Sequence, residues 1–301
     1  MIDRACISLN NRCNLRCQYC HFAGSLQDTS AADLEFSPGE AEAVVDNIAA
    51  YCSAKGVKSF KLGIVGAGEP FLSWEALKCI VLRAKCYGGL FRVYTITNGV
   101  ALTDEQLRFC FENRDTIDLN FSLDGDEAAH NTFRSGFHRT MDAIGRYEAL
   151  FGGKPRINAT VTRPSIDRKE TLLAFFLGNG FMKINFSVVV GADDPQIRIC
   201  RAEYEAFLDT CEGAGITMRQ RRGDIGETYD CAMYGRLCGV GHTNIYIARD
   251  GIYPCARLHG LPEYWLGSYN SAFTEIEARF AVLGQVTRGG CYHEEYVGGH
   301  A

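Results

Sequence analysis

The chain lacks a basic excess, a long apolar run and a signal-like start. Lys and Arg number 31 against 36 Asp and Glu, a formal charge of −5. With no surplus of cations to hold a polyanion, nucleic acid is not expected as a main partner. No window approaches the roughly 18 apolar residues of a membrane helix, so no membrane association is expected. The opening MIDRACISLN has no apolar signal core, which points to a cytoplasmic protein. Internal repeats, low-complexity tracts and long linkers are also missing. The composition that remains is globular, 47% apolar and 22% charged. Its 301 residues suffice for one large domain with an appendage, or for two domains.

Cysteine is what the chain has in excess, 14 residues or about one in twenty. A reducing cytoplasm disfavours disulfides, so the count points to metal or redox chemistry. Cys52, Cys79, Cys86 and Cys110 sit in helix-like apolar patterns and read as small core residues.

Short β-rich runs alternate with longer helical patterns. Strands are predicted at 5–10, 60–65, 92–98, 117–123, 157–162 and 184–190, and helices near 38–55, 73–87, 103–113, 136–151, 167–178 and 201–213. Ser37-Pro38-Gly39-Glu40 and Thr103 with Gln106 are capping boxes. Six β-then-α units predict a parallel sheet with helices outside it. They are too few to close an eight-stranded barrel, so the expected α/β fold is a partial (β/α)6 TIM-like barrel over 1–213, with its chemistry at the C-terminal strand ends. After residue 214 Gly, Arg and Cys become dense, and a small cysteine-rich domain is expected over 214–301. Its clearest element is a hairpin over 243–258 that turns at Asp250-Gly251. Arg219, Arg221 and Arg222 read as a solvated basic run.

Directly after the first strand comes Cys13-Asn-Leu-Arg-Cys17-Gln-Tyr-Cys20. A zinc site prefers four ligands, usually as two pairs, and His21 is badly placed to close a tetrahedron. Three thiolates suit a [4Fe–4S] cluster with one iron left open to a substrate or cofactor.

C-x3-C-x2-C on this loop resembles the signature of radical S-adenosylmethionine (SAM) enzymes. Gly66-Ala67-Gly68-Glu69-Pro70 is similar to the family's GGEP motif, with Ala67 in place of its second glycine. Thr97-Asn98-Gly99 ends the third predicted strand. Ser122-Leu123-Asp124-Gly125, followed by His130 and Arg134, resembles an SLDG-x4-H-x3-R pattern. Singly, each motif could be an ordinary turn, strand cap or surface ion pair. Together they fall in order on strand C-termini.

The resemblance implies a cluster that reductively cleaves SAM, and a 5′-deoxyadenosyl radical that abstracts a hydrogen from a substrate C–H bond. It also implies that Gly66, Gly68 and Glu69 hold the SAM amino group. Asp124 is implied as a further cofactor-binding residue, and Arg134 would pair the SAM carboxylate. Ser122 and Asn98 would meet its ribose and methionine parts, and Tyr19 would lie near the adenine. An electron donor such as flavodoxin or ferredoxin would supply the reducing electron.

Cys231, Cys238, Cys255 and Cys291 lie in the last quarter. Cys238-Gly-Val-Gly and Asp250-Gly-Ile-Tyr-Pro-Cys255 resemble SPASM and twitch extensions, which implies an auxiliary [4Fe–4S] cluster with four thiolate ligands. A structural zinc site is the plainer alternative. Some relatives invert a stereocentre with a free cysteine that returns a hydrogen atom, and Cys200, Cys211 and Cys231 are candidates for that role. The architecture implies a substrate that is a peptide or a small molecule. The first expectation is epimerisation or crosslinking of a ribosomally made peptide. Epimerisation or dehydrogenation of a sugar or aminoglycoside is the second, and a zinc-stabilised scaffold with no activity is the third. Cys13 follows only twelve residues, so no separate leader-binding domain is expected ahead of it.

Overall fold

Apolar residues recur at alternate positions along most of the predicted strands, and six parallel strands form there. The computed structural model describes residues 1–23, 26, 34–189, 194–218 and 243–286. The strands are β1 (Arg4–Ile7), β2 (Phe60–Ile64), β3 (Phe91–Thr97), β4 (Ile117–Ser122), β5 (Ile157–Val161) and β6 (Ile184–Val188). They pair in sequence order, so Cys6 stands opposite Gly63, Gly63 opposite Tyr94, and Asn158 opposite Asn185. The helices are α1 (Pro38–Lys55), α2 (Trp74–Cys86), α3 (Asp104–Glu112), α4 (Glu127–Phe133), α5 (Phe137–Phe151), α6 (Arg163–Asp167), α7 (Lys169–Gly178) and α8 (Arg201–Gly213). Both capping boxes form. Ser37 accepts from the Glu40 amide and Thr103 from that of Gln106, each cap contributing about 1 kcal/mol.

Alternation decides what each strand face meets. On β2, Phe60, Leu62 and Ile64 are fully buried and join one core with Ile48 of α1 and Leu77 and Ile80 of α2. On β5 and β6, Ile157, Ala159, Val161, Ile184, Phe186 and Val188 enter the same core, with Leu172 and Phe176 of α7. Side chains of period two therefore leave Asn158, Thr160, Asn185 and Ser187 on the opposite, inner face of the partial barrel. Each fully buried Ile, Leu or Phe contributes about 1.5–3 kcal/mol.

The structure corrects several boundaries. β1 ends at Ile7 rather than Asn10, because the Asn10 side chain turns away to bond the loop after β2. α4 and α6 are single-turn to two-turn helices with too few residues to show a period. Cys52 and Cys110 are core residues as expected, but Cys79 is half-buried and Cys86 is exposed.

The predicted hairpin forms as β7 (Asn244–Ala248) and β8 (Gly251–Tyr253), and it belongs to the same sheet. β7 runs parallel to β1, with Ile247 opposite Ile7, so the strand order is β6-β5-β4-β3-β2-β1-β7-β8. Ala248 pairs with Gly251, so Arg249 and Asp250 make the turn rather than Asp250 and Gly251. Gly251 serves close packing instead: a Cβ there would lie 2.3 Å from Nε1 of Trp265. A further helix, α9 (Phe273–Val286), lays Phe273, Ile276 and Phe280 into the core. Among the described residues no helix is long and apolar enough to cross a membrane.

Candidate active site

Asn10 ties the loop after β1 to the loop after β2. Its Nδ2 donates to the Glu69 carbonyl at 3.2 Å and to Ser73 Oγ at 2.6 Å, and its Oδ1 accepts from the Arg12 amide at 2.8 Å. The Glu69 amide donates in turn to the Arg12 carbonyl at 2.7 Å. Gly68 makes this approach possible. Its φ is +76°, and a Cβ there would lie 2.0 Å from Asn10 Oδ1 and 2.6 Å from the Arg12 carbonyl. At Gly66 a Cβ would meet that of Ser8 at 2.6 Å. Both glycines were expected on this loop. Asn10 was not, since its role depends on a long-range partner.

The loop braced in this way carries Cys13, Cys17 and Cys20, all half-buried. The Gln18 amide donates to the Phe133 carbonyl at 2.8 Å and so fastens the loop to the end of α4. Burial raises the Cys13 thiol, and it pushes Cys17 up to about 11. The three sulfurs sense one another's charge. Yet among the described residues no three Cys, His, Asp or Glu side chains converge on a point that one metal ion would fill. Neighbouring thiols that do not share a single centre fit a multi-iron core, where each thiolate binds its own iron. Loading such a core must displace the thiol protons.

Glu69 is 3% exposed and follows this loop's glycine. Thr97 donates its hydroxyl to Oε1 at 2.7 Å, and the Asn98 amide donates to Oε2 at 2.9 Å. Burial nevertheless raises its pKa. Among the described residues it has no ion-pair partner, so this carboxylate would be relieved by a bound ammonium group. Asn98 bonds Asn14 Oδ1 through its Nδ2 at 2.7 Å, and the same nitrogen lies 4.0 Å from Cys13 Sγ. Ser122 ends β4, half-buried on the inner face.

Tyr19, Asp124 and Arg134 form a second polar centre beside the cysteines. Arg134 Nε donates to Asp124 Oδ2 at 3.1 Å and to Tyr19 Oη at 2.8 Å. The Tyr19 hydroxyl donates to the same Asp124 oxygen. Asp124 Oδ1 accepts from the Thr160 amide at 2.8 Å. This is a buried pair, with side chains 12% and 6% exposed, and not a surface one. Burial raises Tyr19 well above its usual range and so keeps it a neutral donor. The terminal nitrogens of Arg134 make no hydrogen bond among the described residues. His130 accepts from the Asp124 amide through Nδ1 at 3.4 Å and faces the Ser135 carbonyl through Nε2 at 3.2 Å. Nε2 therefore bears the proton, and burial holds this imidazole below its ordinary 6.5.

The predicted hydrogen donors fare differently. Cys211 is fully buried in the core on the α8 side of the sheet, with its thiol pushed up to about 12, so it is packing and not a donor to the inner face. Cys200 is exposed at the N-cap of α8, where its amide donates to Glu203 at 2.9 Å. Cys255 is half-buried and opens a short turn, Ala256–Leu258. Cys231, Cys238, Cys291, Arg219, Arg221 and Arg222 lie outside the described residues.

A parallel half-barrel that gathers a three-cysteine loop, a buried glutamate and a buried Arg–Asp pair at its C-terminal edge defines the class. The chain belongs to the radical SAM superfamily, whose model matches residues 7–153. Members of that superfamily are enzymes that use a [4Fe–4S] cluster and SAM.

Among curated proteins, the chain is 31% identical over 209 residues to cattle molybdenum cofactor biosynthesis protein 1, covering 68% of this chain and 31% of that protein. It is 33% identical over 148 residues to a probable GTP 3′,8-cyclase of Methanothermobacter marburgensis, covering 49% of this chain and 42% of that one. The chain thus spans less than half the length of these relatives. Among solved structures, Streptococcus suis SuiB bound to its precursor peptide SuiA superposes with a TM-score of 0.71 at 15% identity, over 99% of this chain and 73% of that one.

Proposed function

We propose that this radical SAM enzyme tailors a peptide, by epimerisation or crosslinking at a C–H bond. Bound cluster and SAM would supply one-electron cleavage and a hydrogen-abstracting radical. Cys13, Cys17 and Cys20 would hold the cluster. Glu69 and the Gly66–Gly68 turn would receive the SAM ammonium group, and the free edge of Arg134 its carboxylate. Asn98 and Ser122 would face the ribose and methionine parts, with Tyr19 beside the adenine. Asp124 and Tyr19 act through Arg134 by occupying its Nε and aiming its terminal nitrogens. Cys255, with Cys231, Cys238 and Cys291, would hold an auxiliary cluster. A flavodoxin- or ferredoxin-like donor would deliver the electron.

The observation that carries the SAM site is the buried Glu69 carboxylate, which stands beside the cysteine loop with no ion-pair partner among the described residues. Support for a peptide comes from the charge of the described part of the site, where Arg12, Arg134, Arg163 and Arg168 are each held by a carboxylate, of Glu35, Asp124, Glu203 and Asp126, and Arg16 by the carbonyls of Cys13 and Leu15. A fold shared with a peptide-bound enzyme is consistent with this reading.

A second reading, cyclisation of a nucleotide, is favoured by the identity to GTP 3′,8-cyclases. Anaerobic assays separate the two. Anaerobically reconstituted protein with SAM is incubated with a precursor-type peptide in D2O, or with GTP. A peptide product altered in mass, or deuterated at an α-carbon, supports tailoring. A cyclised nucleotide overturns it. An iron content near eight per chain supports the auxiliary cluster, and about four with zinc opposes it.

A further inference from the structure

Two carboxamides stand side by side on the inner face of β5 and β6. Asn158 and Asn185 are register partners, and Asn185 Nδ2 donates to Asn158 Oδ1 at 3.2 Å. That bond leaves the buried atoms Asn158 Nδ2 and Asn185 Oδ1, neither with a hydrogen-bond partner among the described residues. Reversing both amides exchanges the labels and leaves the same inventory, one donor and one acceptor. Buried polar groups of folded proteins are nearly always paired, so a lone donor beside a lone acceptor marks a place prepared for a ligand.

The pair lies on the same inner face as the site described above. Asn158 is the register partner of Ser122. Thr160, one inward position further along β5, gives its amide to Asp124, so the carboxamides stand roughly 7 Å below the Asp124–Arg134 centre. Nearby Asn120 spends its own Nδ2 on the carbonyls of Thr95 and Asp118. The open pair offers no charge, only an N–H and a C=O.

We infer that Asn158 and Asn185 form a recognition subsite for the backbone N–H and C=O of one residue of an extended peptide substrate. An extended residue presents its own N–H and C=O on the same side, as in the hydrogen-bonded pairs of an antiparallel ladder. Asn158 Nδ2 donates to that carbonyl, and Asn185 Oδ1 accepts from that N–H. The subsite places a peptide segment across the inner face below the SAM site, and it sets register without reading side chains. The inference rests on the peptide-tailoring reading given above.

The test uses reconstituted holoenzyme with SAM in anaerobic equilibrium dialysis against a pool of blocked random hexapeptides, with GTP and the aminoglycoside neamine as separate probes. A retained peptide is resynthesised with each backbone N–H replaced in turn by an ester oxygen. One position is expected to lose about fivefold to tenfold in affinity, and that loss is expected to vanish in Asn185→Leu. Asn158→Leu lowers affinity for the parent peptide by a similar factor. Asn185→Ser, which keeps an acceptor, restores part of the ester sensitivity and serves if the leucine variant does not fold. If peptide binds but esters and variants have no effect, the subsite is wrong while the peptide reading stands. If GTP or neamine binds and no peptide is retained, the peptide reading and the subsite fall together.

Discussion

Arg134 meets Asp124 through its Nε, 3.1 Å from Oδ2, with both side chains almost withdrawn from water. The contact consumes the inner edge of the guanidinium and leaves its outer edge to a ligand. Replacing Asp124 by Asn keeps the shape but strands a buried cation. Asp124→Asn is expected to lose about 3 kcal/mol in urea unfolding. Arg134→Lys removes the planar fork and is expected to weaken SAM binding about tenfold in calorimetry on cluster-loaded protein. Unchanged affinity would remove Arg134 from the SAM site.

Cys17 is half-buried on a loop outside the core. Cys17→Ala is therefore expected to leave the thermal midpoint within about 4 °C of the parent. The same variant is expected to lose about four irons per chain and to reduce 5′-deoxyadenosine formation to background. Iron analysis and product chromatography check both statements.

Two glycines provide a matched pair. Gly68→Ala forces a Cβ to 2.0 Å from Asn10 Oδ1 at a φ of +76°, with an expected cost of at least about 2 kcal/mol in denaturant unfolding. Gly39 lies in the first turn of α1, where a Cβ meets nothing within 4 Å. Gly39→Ala is expected to be stabilising by about 0.5 kcal/mol. Equal effects of the two would contradict the tight contact between the first two loops.

Glu40 links three elements. Its Oε2 accepts from the Ser37 amide at 2.8 Å, and its Oε1 accepts from Arg249 Nε at 3.2 Å and from the Tyr269 hydroxyl at 2.8 Å. Burial opposes ionisation, but hydrogen bonds from Ser37, Arg249 and Tyr269 outweigh it and hold the carboxyl at about 2, below its ordinary 4.5. A carboxyl lowered in the folded state stabilises above its unfolded pKa. That stability is lost as pH falls from about 4.5 towards about 2. Glu40→Gln is expected to cost about 1–2 kcal/mol at neutral pH and to flatten the acid limb of stability over that window. Urea midpoints measured across the window would decide it, and parallel curves for variant and parent would refute the link.

Most of the barrel was legible because its strands and helices have strong, distinct periods and capped ends. Ser37 with Glu40 and Thr103 with Gln106 start helices within one residue of the predicted positions. The three cysteines could be read because their constraint is local, a spacing along one loop, and Gly68 was placed through the resemblance of its loop to a family motif. Asn10 could not, since its partners Glu69 and Ser73 lie about sixty positions away. Cys200 and Cys211 looked alike in sequence. Only the packing of α8 sends one to the surface and the other into the core.

From its amino acids alone this chain dictated the order of strands and helices, the capped starts of two helices and the loop that offers three thiols. Each of these depends on residues a few positions apart. The tertiary structure decided that β7 lies against β1, that Arg134 is buried against Asp124, that Glu40 ties α1 to the hairpin turn at Arg249, and that Asn158 and Asn185 share an inner wall. Periodicity reports that a face is buried but not what it is buried against, and these contacts exist only after distant segments have packed.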